Sequence, residues 1–458
     1  METLLAALRA AVGDAHVFAG DEAQGMAMGG LEPEDAGAAV LVRPANTEEV
    51  ASVLTTCNDL GTGVVPLGGG TGLVGGTNSS PGEVVVSLER FRSIEVDPVR
   101  RVAVAGAGVT LQQVHDTVGS HGLAFGIDLG ARGTAQVGGL VATNAGGSGV
   151  LRWGMMRANL LGIEAVLADG TRIDTLEGLE KDNTGFDLTG LLCGSEGTLG
   201  IVTRATLRLH PAPSSRNTAL AAVPSFDALL ALRTTLDERL GGEISAFEVM
   251  WESFYRTIAI ESGNHTPPLP DGSPLYALIE SRGHEPVHDE HRFQAALSAA
   301  ADHGLLTDAV AAMSGTDRDR LWAIRDDIPA LVRAMGTRLA YDVSLPVTAI
   351  PAYLEAVGRQ LGAPLADQLV VFGHLGDGNL HLTLPFDPVT KAIADQAVYD
   401  ALVPFAGSVS AEHGIGLEKR AWLGHTRSEG EIQAMRRIKR ALDPNGIMNP
   451  GKLLGLTD

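Results

Sequence analysis

The sequence predicts an α+β protein of two domains. Three observations carry that prediction. The chain has 458 residues, 45% hydrophobic and 19% charged, enough to bury more than one core. Up to about His210 its apolar segments are short, valine-rich and bounded by turn residues, which is the texture of strands. Beyond the stretch PAPSS, Pro211 to Ser215, strands alternate with longer helical patterns. The division is therefore expected at 1–212 and 213–445.

The first residues, to about 35, read as helical. METLLAALRAAVGDAH has neither a basic stretch nor a long apolar run, so it reads as an amphipathic helix and neither a signal peptide nor a membrane span. A cytoplasmic location is expected on that basis. From Ala39, AVLVRP is a buried strand. A helix follows over Thr47 to Gly61, capped at Thr47 and closed by glycine. VVPLGGG is a strand running into a glycine loop. VVVSLERF, IEVDPVRRVAVAGAG and VLADGTRIDT are short strands, the last turning at Asp169-Gly170, and VTLQQVHDTVGSHG is a helix between them. No strand leads into a GxGxxG helix with an acidic residue about twenty positions on, so the region is not a Rossmann unit. In the second half, strands are expected near Ala219–Val223, Ala246–Met250, Leu275–Glu280, Arg338–Leu345 and Leu369–Phe372, with a helix over Phe226–Leu240. They form a sheet with helices on one face. The tail from Glu431 is a helix and then a Pro/Asn/Gly-rich terminus.

A net charge of -21 weighs against nucleic acid as a partner. Cys57 and Cys193 are the only cysteines and lie in apolar contexts, which favours two buried thiols over a disulfide.

Glycine is abundant, at 57 residues, and clusters. PLGGGTGLVGGTN, Pro66 to Asn78, has almost no side chains to pack, so it is a flexible surface loop or a cradle of backbone N–H groups around a pyrophosphate. Its place directly after a strand favours the cradle. Two further clusters, Gly126 to Gly149 and Gly194 to Ile201, point to an extended cofactor threaded across backbone.

VFGHLGDGNLH, Val371 to His381, and Ser410-Ala411-Glu412-His413-Gly414 offer two histidines and a carboxylate. That is a ligand set for a divalent metal with a position open to substrate. On one continuous strand His374 and His381 would face opposite ways, but Leu375 to Asn379 carries a turn signal that lets the chain fold back. The alternative is two unrelated histidines. Adjacent residues of an extended segment point apart, so Glu412 can face the metal while His413 faces the substrate as a base, or orients a ligand from behind. Asn379 could hydrogen-bond a substrate carboxylate. Arg325, in LWAIRDDIP, could clamp it bidentately or be a solvated helix arginine.

Taken in order, PLGGGTGLVGGTN, LGARGTAQVGGLVATNAGG, KDNTGFDLTGLLCGSEGTLGIVT, GHLGDGNLH, SAEHGIG and IMNPGKL resemble the FAD-linked 2-hydroxy-acid dehydrogenases of the vanillyl-alcohol-oxidase flavoprotein superfamily. YDVSLP, Tyr341 to Pro346, is similar to the D-2-hydroxyglutarate dehydrogenases in particular, with D-lactate dehydrogenases second. The match runs from about Ala39 to Leu454. The resemblance implies a two-part FAD-binding domain, 1–212 completed by 446–458, and an α+β substrate-capping domain with the metal site. It implies that Pro66, Gly68, Gly69, Gly70, Thr71 and Gly72 hold the pyrophosphate. Gly130, Thr134, Gly138, Gly139, Asn144, Glu196, Gly197 and Ile201 would line the rest of the FAD, and Asn449 would return to the flavin. It also implies His374, His381 and Glu412 as ligands, zinc first, and His413 as base. The glycine loop has no histidine or cysteine, so FAD is expected to be noncovalent. A homodimer is consistent with the family, and the electron acceptor is not readable.

The chain departs from these relatives at two positions. Hydroxyglutarate enzymes carry a threonine where Pro329 stands and a lysine where Ala340 stands, both of which help hold the distal carboxylate. Arg338, on the same strand face as Ala340, could take over that duty. If it does not, a shorter or apolar D-2-hydroxy acid such as D-lactate fits better. A metal-dependent hydrolase leaves the glycine loops without purpose, and a flavin electron carrier leaves the base and metal set without purpose.

Overall fold

The structure is a computed structural model that describes residues 1–26 and 37–455, so the part of the expected first helix beyond Met26 lies outside the described residues. The chain divides into two compact units. One comprises Met1–Gly147, Trp153–Ala212 and Glu412–Asp458, the other Ser148–Arg152 and Pro213–Ala411. The chain thus re-enters the first unit at Glu412, earlier than the expected 446. No helix among the described residues is long and apolar enough to cross a membrane.

In the first unit, helix Glu2–Val12 buries Leu4, Leu8 and Val12 along one stripe and ends at Gly13, whose φ of 85° an L side chain rarely adopts. The helical stretch expected to about residue 35 is interrupted here. Val17–Ala19 is a strand, antiparallel to Val40–Val42. Val40–Val42 and Val64–Leu67 flank Val84–Ser87 in parallel. Parallel strands need a crossover, and helix Thr47–Asp59 supplies one. Its cap is Asn46, whose side chain accepts from the Glu49 N–H at 2.9 Å, and not the expected Thr47. Thr47 is turned inward, where its hydroxyl donates to Glu164 at 2.7 Å, because a buried hydroxyl needs a partner.

The second sheet of this unit joins Ile94–Asp97, Val102–Gly106, Ile201–Pro211, Leu160–Val166 and Arg172–Asp174, with Leu123–Phe125 on the far end of Ile201–Pro211. Gly170, at φ 85°, closes the hairpin signalled by Asp169-Gly170. Helices Leu111–Gly119 and Val137–Thr143 bury Val114, Val118, Val137 and Val141 in the core beneath this sheet. The C-terminal IMNPG segment lies beside Val64, with Val64 N–H donating to Ile447 O at 2.7 Å and Asn449 N–H to Val64 O at 2.8 Å.

The second unit is built on an antiparallel sheet. Among the described residues its strand order is Asp308–Ala311, Ser215–Val223, Leu275–Gly283, Ile244–Trp251, Val370–His374, Asn379–Pro385, Arg338–Ser344. Helix Phe226–Leu240 occurs over the residues expected, capped by Ser225. Strands Asp308–Ala311 and Asn379–Pro385 were not expected. The central strands are buried almost continuously, so both faces are covered rather than one. Leu220, Met250, Leu278 and Phe372 meet Leu321, Ile324 and Leu331 from helices Gly315–Asp326 and Ile328–Met335 on one face. Ala219, Val249, Ala277 and Ile279, which alternate with them, are equally buried on the other.

Candidate active site

The glycine loop follows strand Val64–Leu67 as expected, and its surroundings explain its composition. A Cβ on Gly69 would overlap the Thr134 carbonyl oxygen. Gly68 faces the Gly139 nitrogen, a Cβ there lying 3.6 Å away, and a Cβ on Gly138 would press on Ala107 at 2.8 Å. Gly197, at φ 70°, backs onto Pro66. Gly72, Gly130 and Gly139 face open space, and Gly70 takes φ 65°. Asn144 ends helix Val137–Thr143 in the left-handed region, its Oδ1 accepting from Arg157 N–H at 2.8 Å. The first unit therefore gathers Pro66, Gly68, Gly69, Thr134, Gly138, Gly139 and Gly197. Thr71 and Gly72 lie on its exposed rim. Ile201 sits in the apolar core.

Among the described residues, Gln136 Oε1 and Asn449 Oδ1 are buried acceptors in this region without a hydrogen-bond partner. Asn449 Nδ2 meanwhile donates to Gly76 O at 3.0 Å and Glu196 O at 2.7 Å. Buried polar atoms are rarely left unpaired, so orphaned acceptors beside a side-chain-free loop fit a polar, extended ligand such as FAD. Gly69→Ala should weaken FAD binding about 5–150-fold, because relieving such an overlap costs about 1–3 kcal/mol. The flavin-to-protein absorbance ratio after dialysis measures this, and a full complement of FAD in the variant would show that the loop tolerates a side chain.

Glu196 departs from its expected role. Its carboxylate accepts from Ile415 N–H at 2.8 Å and Gly416 N–H at 2.7 Å. Burial pushes that carboxyl above the ordinary range, against the pull of those two N–H groups. Both oxygens are thus committed to the segment after His413, and Leu417 N–H donates to Val74 O at 2.8 Å within the glycine loop. His413 is carried on a strap stitched to the loop, with its Nε2 3.8 Å from Glu412 Oε1.

In the second unit the hairpin Val370–His374/Asn379–Pro385 folds back through Leu375–Asp377 and Gly378, the latter at φ 79°. Register pairs Phe372 with His381 and His374 with Asn379, so His374 and His381 share a face, with ring centroids 5.5 Å apart. Asp342 pairs with His381 across the next ladder, Oδ1 to Nδ1 3.9 Å, and Glu248 pairs with His374 on the other side. Asp342 and His381 present ligand atoms within 4.8 Å of each other, as do Glu412 and His413 in the first unit. Asp342 Oδ2 accepts the Ala411 N–H at 3.1 Å, and Glu412 follows by one peptide bond. Imidazoles and carboxylates converging on one face suit a divalent transition metal.

Arg325 is not a solvated helix residue. It is 5% exposed, donates from Nε to Glu248 Oε2 at 2.9 Å, and lies over the Phe372 ring at 5.0 Å. Its helix is pinned again by Trp322 Nε1, which donates to buried Glu280 at 2.8 Å. Nη2 reaches His374 Nε2 at 3.5 Å, leaving Nη1 for a ligand. Burial opposes the charge of Glu248, but His374 and Arg325 outweigh it and hold the carboxyl below the ordinary range. Asn379 needs correction: Nδ2 gives its two protons to Asp342 at 2.8 Å and Val343 O at 3.0 Å. Only its Oδ1 remains, an acceptor, which suits a hydroxyl and not a carboxylate. Sequence reading missed Glu248 and Asp342. The signal was there, a lone acid in each of the apolar strands ISAFEVMW and RLAYDVS, because an unpaired charge is rarely tolerated inside a sheet.

Residues 38–176 match the FAD binding domain, and residues 212–453 match the C-terminal domain of FAD linked oxidases. The chain is 39% identical over 422 residues to a mitochondrial D-2-hydroxyglutarate dehydrogenase of Bos taurus, covering 91% of this chain and 76% of that one. It is 36% identical over 428 residues to a D-2-hydroxyglutarate–pyruvate transhydrogenase of Saccharomyces cerevisiae, covering 91% and 86%. Among solved structures, p-cresol methylhydroxylase with substrate bound superposes with a TM-score of 0.78 at 16% identity, covering 100% of this chain and 97% of that one, a likeness of fold alone. The expected cytoplasmic location does not stand, because the bovine relative is named as a mitochondrial protein. An amphipathic helix that buries Leu4, Leu8 and Val12 reports packing, not compartment. Matched along most of its length by both flavin domains and by enzymes of D-2-hydroxy acids, the chain belongs to the FAD-linked oxidases, in the branch that holds the D-2-hydroxyglutarate dehydrogenases.

Proposed function

We propose that the protein oxidises a D-2-hydroxy acid to the 2-oxo acid with metal assistance, D-2-hydroxyglutarate first among its substrates. The carrying observation is the face of the second sheet on which His374, His381, Asp342, Asn379 and the Arg325–Glu248 pair converge. His374, His381 and Glu412 would hold a divalent ion, zinc first, which would polarise the substrate hydroxyl. The glycine loop around Gly68 and Gly69, with Gly138, Gly139 and Asn449, would hold FAD noncovalently, and the flavin would supply a hydride acceptor. Arg325 Nη1 would bind the α-carboxylate, His413 would remove the hydroxyl proton, and Asn379 would hold Asp342 beside His381. The yeast relative is named for transfer to pyruvate, so a 2-oxo acid is the electron acceptor to test first.

Arg338 supports the dicarboxylate over D-lactate. It shares a strand face with Ala340 and Asp342, is half-buried, and has no carboxylate at ion-pair distance among the described residues. Burial alone lowers its pKa, and a cation so placed is stabilised by an anion. Arg338 and Asp342 lie roughly 13 Å apart at ~3.3 Å per residue, a span that a guanidinium and a five-carbon diacid close together. Pro329 sits in the first turn of helix Ile328–Met335, where a missing N–H costs nothing, and offers the ligand no donor. Anaerobic bleaching of the flavin by D-2-hydroxyglutarate and by D-lactate tests the reading. In Arg338→Ala the ratio of the two kcat/KM values should fall roughly 10–100-fold, the worth of a hydrogen bond to a charged group. An unchanged ratio would exclude Arg338 as the distal clamp, and a flavin that neither D-acid bleaches would exclude the function.

A further inference from the structure

Glu248 lies in the middle of strand Ile244–Trp251, 1% exposed among apolar neighbours. A lone carboxylate there would be costly, and Arg325 by itself would neutralise it. Yet its two oxygens are divided. Oε2 takes Arg325 Nε at 2.9 Å, and Oε1 takes His374 Nδ1 at 2.7 Å. The second contact is set by the backbone, because Glu248 and His374 are ladder partners. The first is set by helix Gly315–Asp326, which Trp322 ties to Glu280 on the adjoining strand.

The division has two chemical consequences. A carboxylate accepting at Nδ1 keeps the proton on that nitrogen, so the lone pair is on Nε2, the form a metal ligand needs. The same carboxylate holding Nε fixes the rotation of the planar guanidinium. We propose that Glu248 is a positioning residue that aligns the metal-ligating His374 and the carboxylate-binding Arg325 through its two oxygens. Metal loading and hydroxy-acid binding are thereby coupled through one side chain. The inference rests on the roles given above to His374 and Arg325.

The test uses the full-length flavoprotein, stripped of metal and titrated with Zn2+, with FAD content and melting temperature as controls of folding. Glu248→Gln has the same shape but only one accepting oxygen, so it cannot serve both donors. Zn2+ affinity should fall about 10–100-fold, and KM for D-2-hydroxyglutarate at saturating Zn2+ should rise more than kcat falls. Glu248→Asp keeps the charge but is one methylene too short to meet Nδ1 and Nε together, so it covers the case in which the glutamine variant does not fold. It should lose Zn2+ affinity and raise KM, in the same directions as Glu248→Gln. In a His374→Ala background, Glu248→Gln should have no further effect on Zn2+ affinity, the signature of action through that imidazole. Wild-type Zn2+ affinity and KM in a folded Glu248 variant would overturn the role of Glu248 while leaving the proposed function intact. A wild-type protein that takes up no Zn2+ would overturn both.

Discussion

His413→Ala should slow flavin reduction by D-2-hydroxyglutarate by roughly 10²–10⁴-fold while leaving FAD bound, the range expected for loss of a positioned proton acceptor. The separation of effects follows from how the segment is held. Glu196 grips the backbone N–H groups of Ile415 and Gly416, and Leu417 N–H is tied to Val74 O, so the strap beside the glycine loop does not depend on the imidazole. Removing that ring leaves those bonds in place and removes only the group that would take the hydroxyl proton. Anaerobic stopped-flow measurement of the first reduction isolates that step from reoxidation. Added imidazole should restore part of the rate in the variant, which it would not do if His413 only packed. Reduction at the wild-type rate in a variant with full FAD and metal content would remove His413 from the mechanism.

Metal removal should be nearly as damaging. Polarisation of the hydroxyl by a divalent ion contributes several kcal/mol, and at about 1.4 kcal/mol per tenfold this is roughly 10²–10³-fold in the rate of flavin reduction. The FAD spectrum should survive chelation. The glycine cradle and Asn449 belong to the first unit, whereas His374 and His381 belong to a hairpin of the second. Added Zn2+ should restore the rate. Stripped protein that still reduces its flavin at the original rate would leave the two histidines with a structural role only.

The two units were legible to different degrees. The first glycine loop could be read directly, because a run without side chains after a strand has few uses. The structure adds the reason for one member of it: Gly69 meets a carbonyl where a Cβ would sit. Asn46 was hidden behind Thr47 because both are good caps, and only burial of the Thr47 hydroxyl against Glu164 separates them. Strand Asn379–Pro385 went unread because its polar start, Asn379 and His381, resembles the preceding turn.

Local pattern in the sequence determined the glycine loop after strand Val64–Leu67, the turn between His374 and His381, helix Phe226–Leu240 and the flavin family. These are properties of contiguous residues, whose spacing and turn chemistry are visible along the chain. Tertiary structure alone decided that Glu248 stands behind His374 and Arg325, that Asp342 stands beside His381, and that Glu196 holds the strap carrying His413. It also decided that Asn379 spends its amide protons on Asp342 and Val343. Each of these pairs joins residues far apart in sequence through strand register or chain return. A buried carboxylate announces in the sequence only that it must have a partner, and the ladder decides which one.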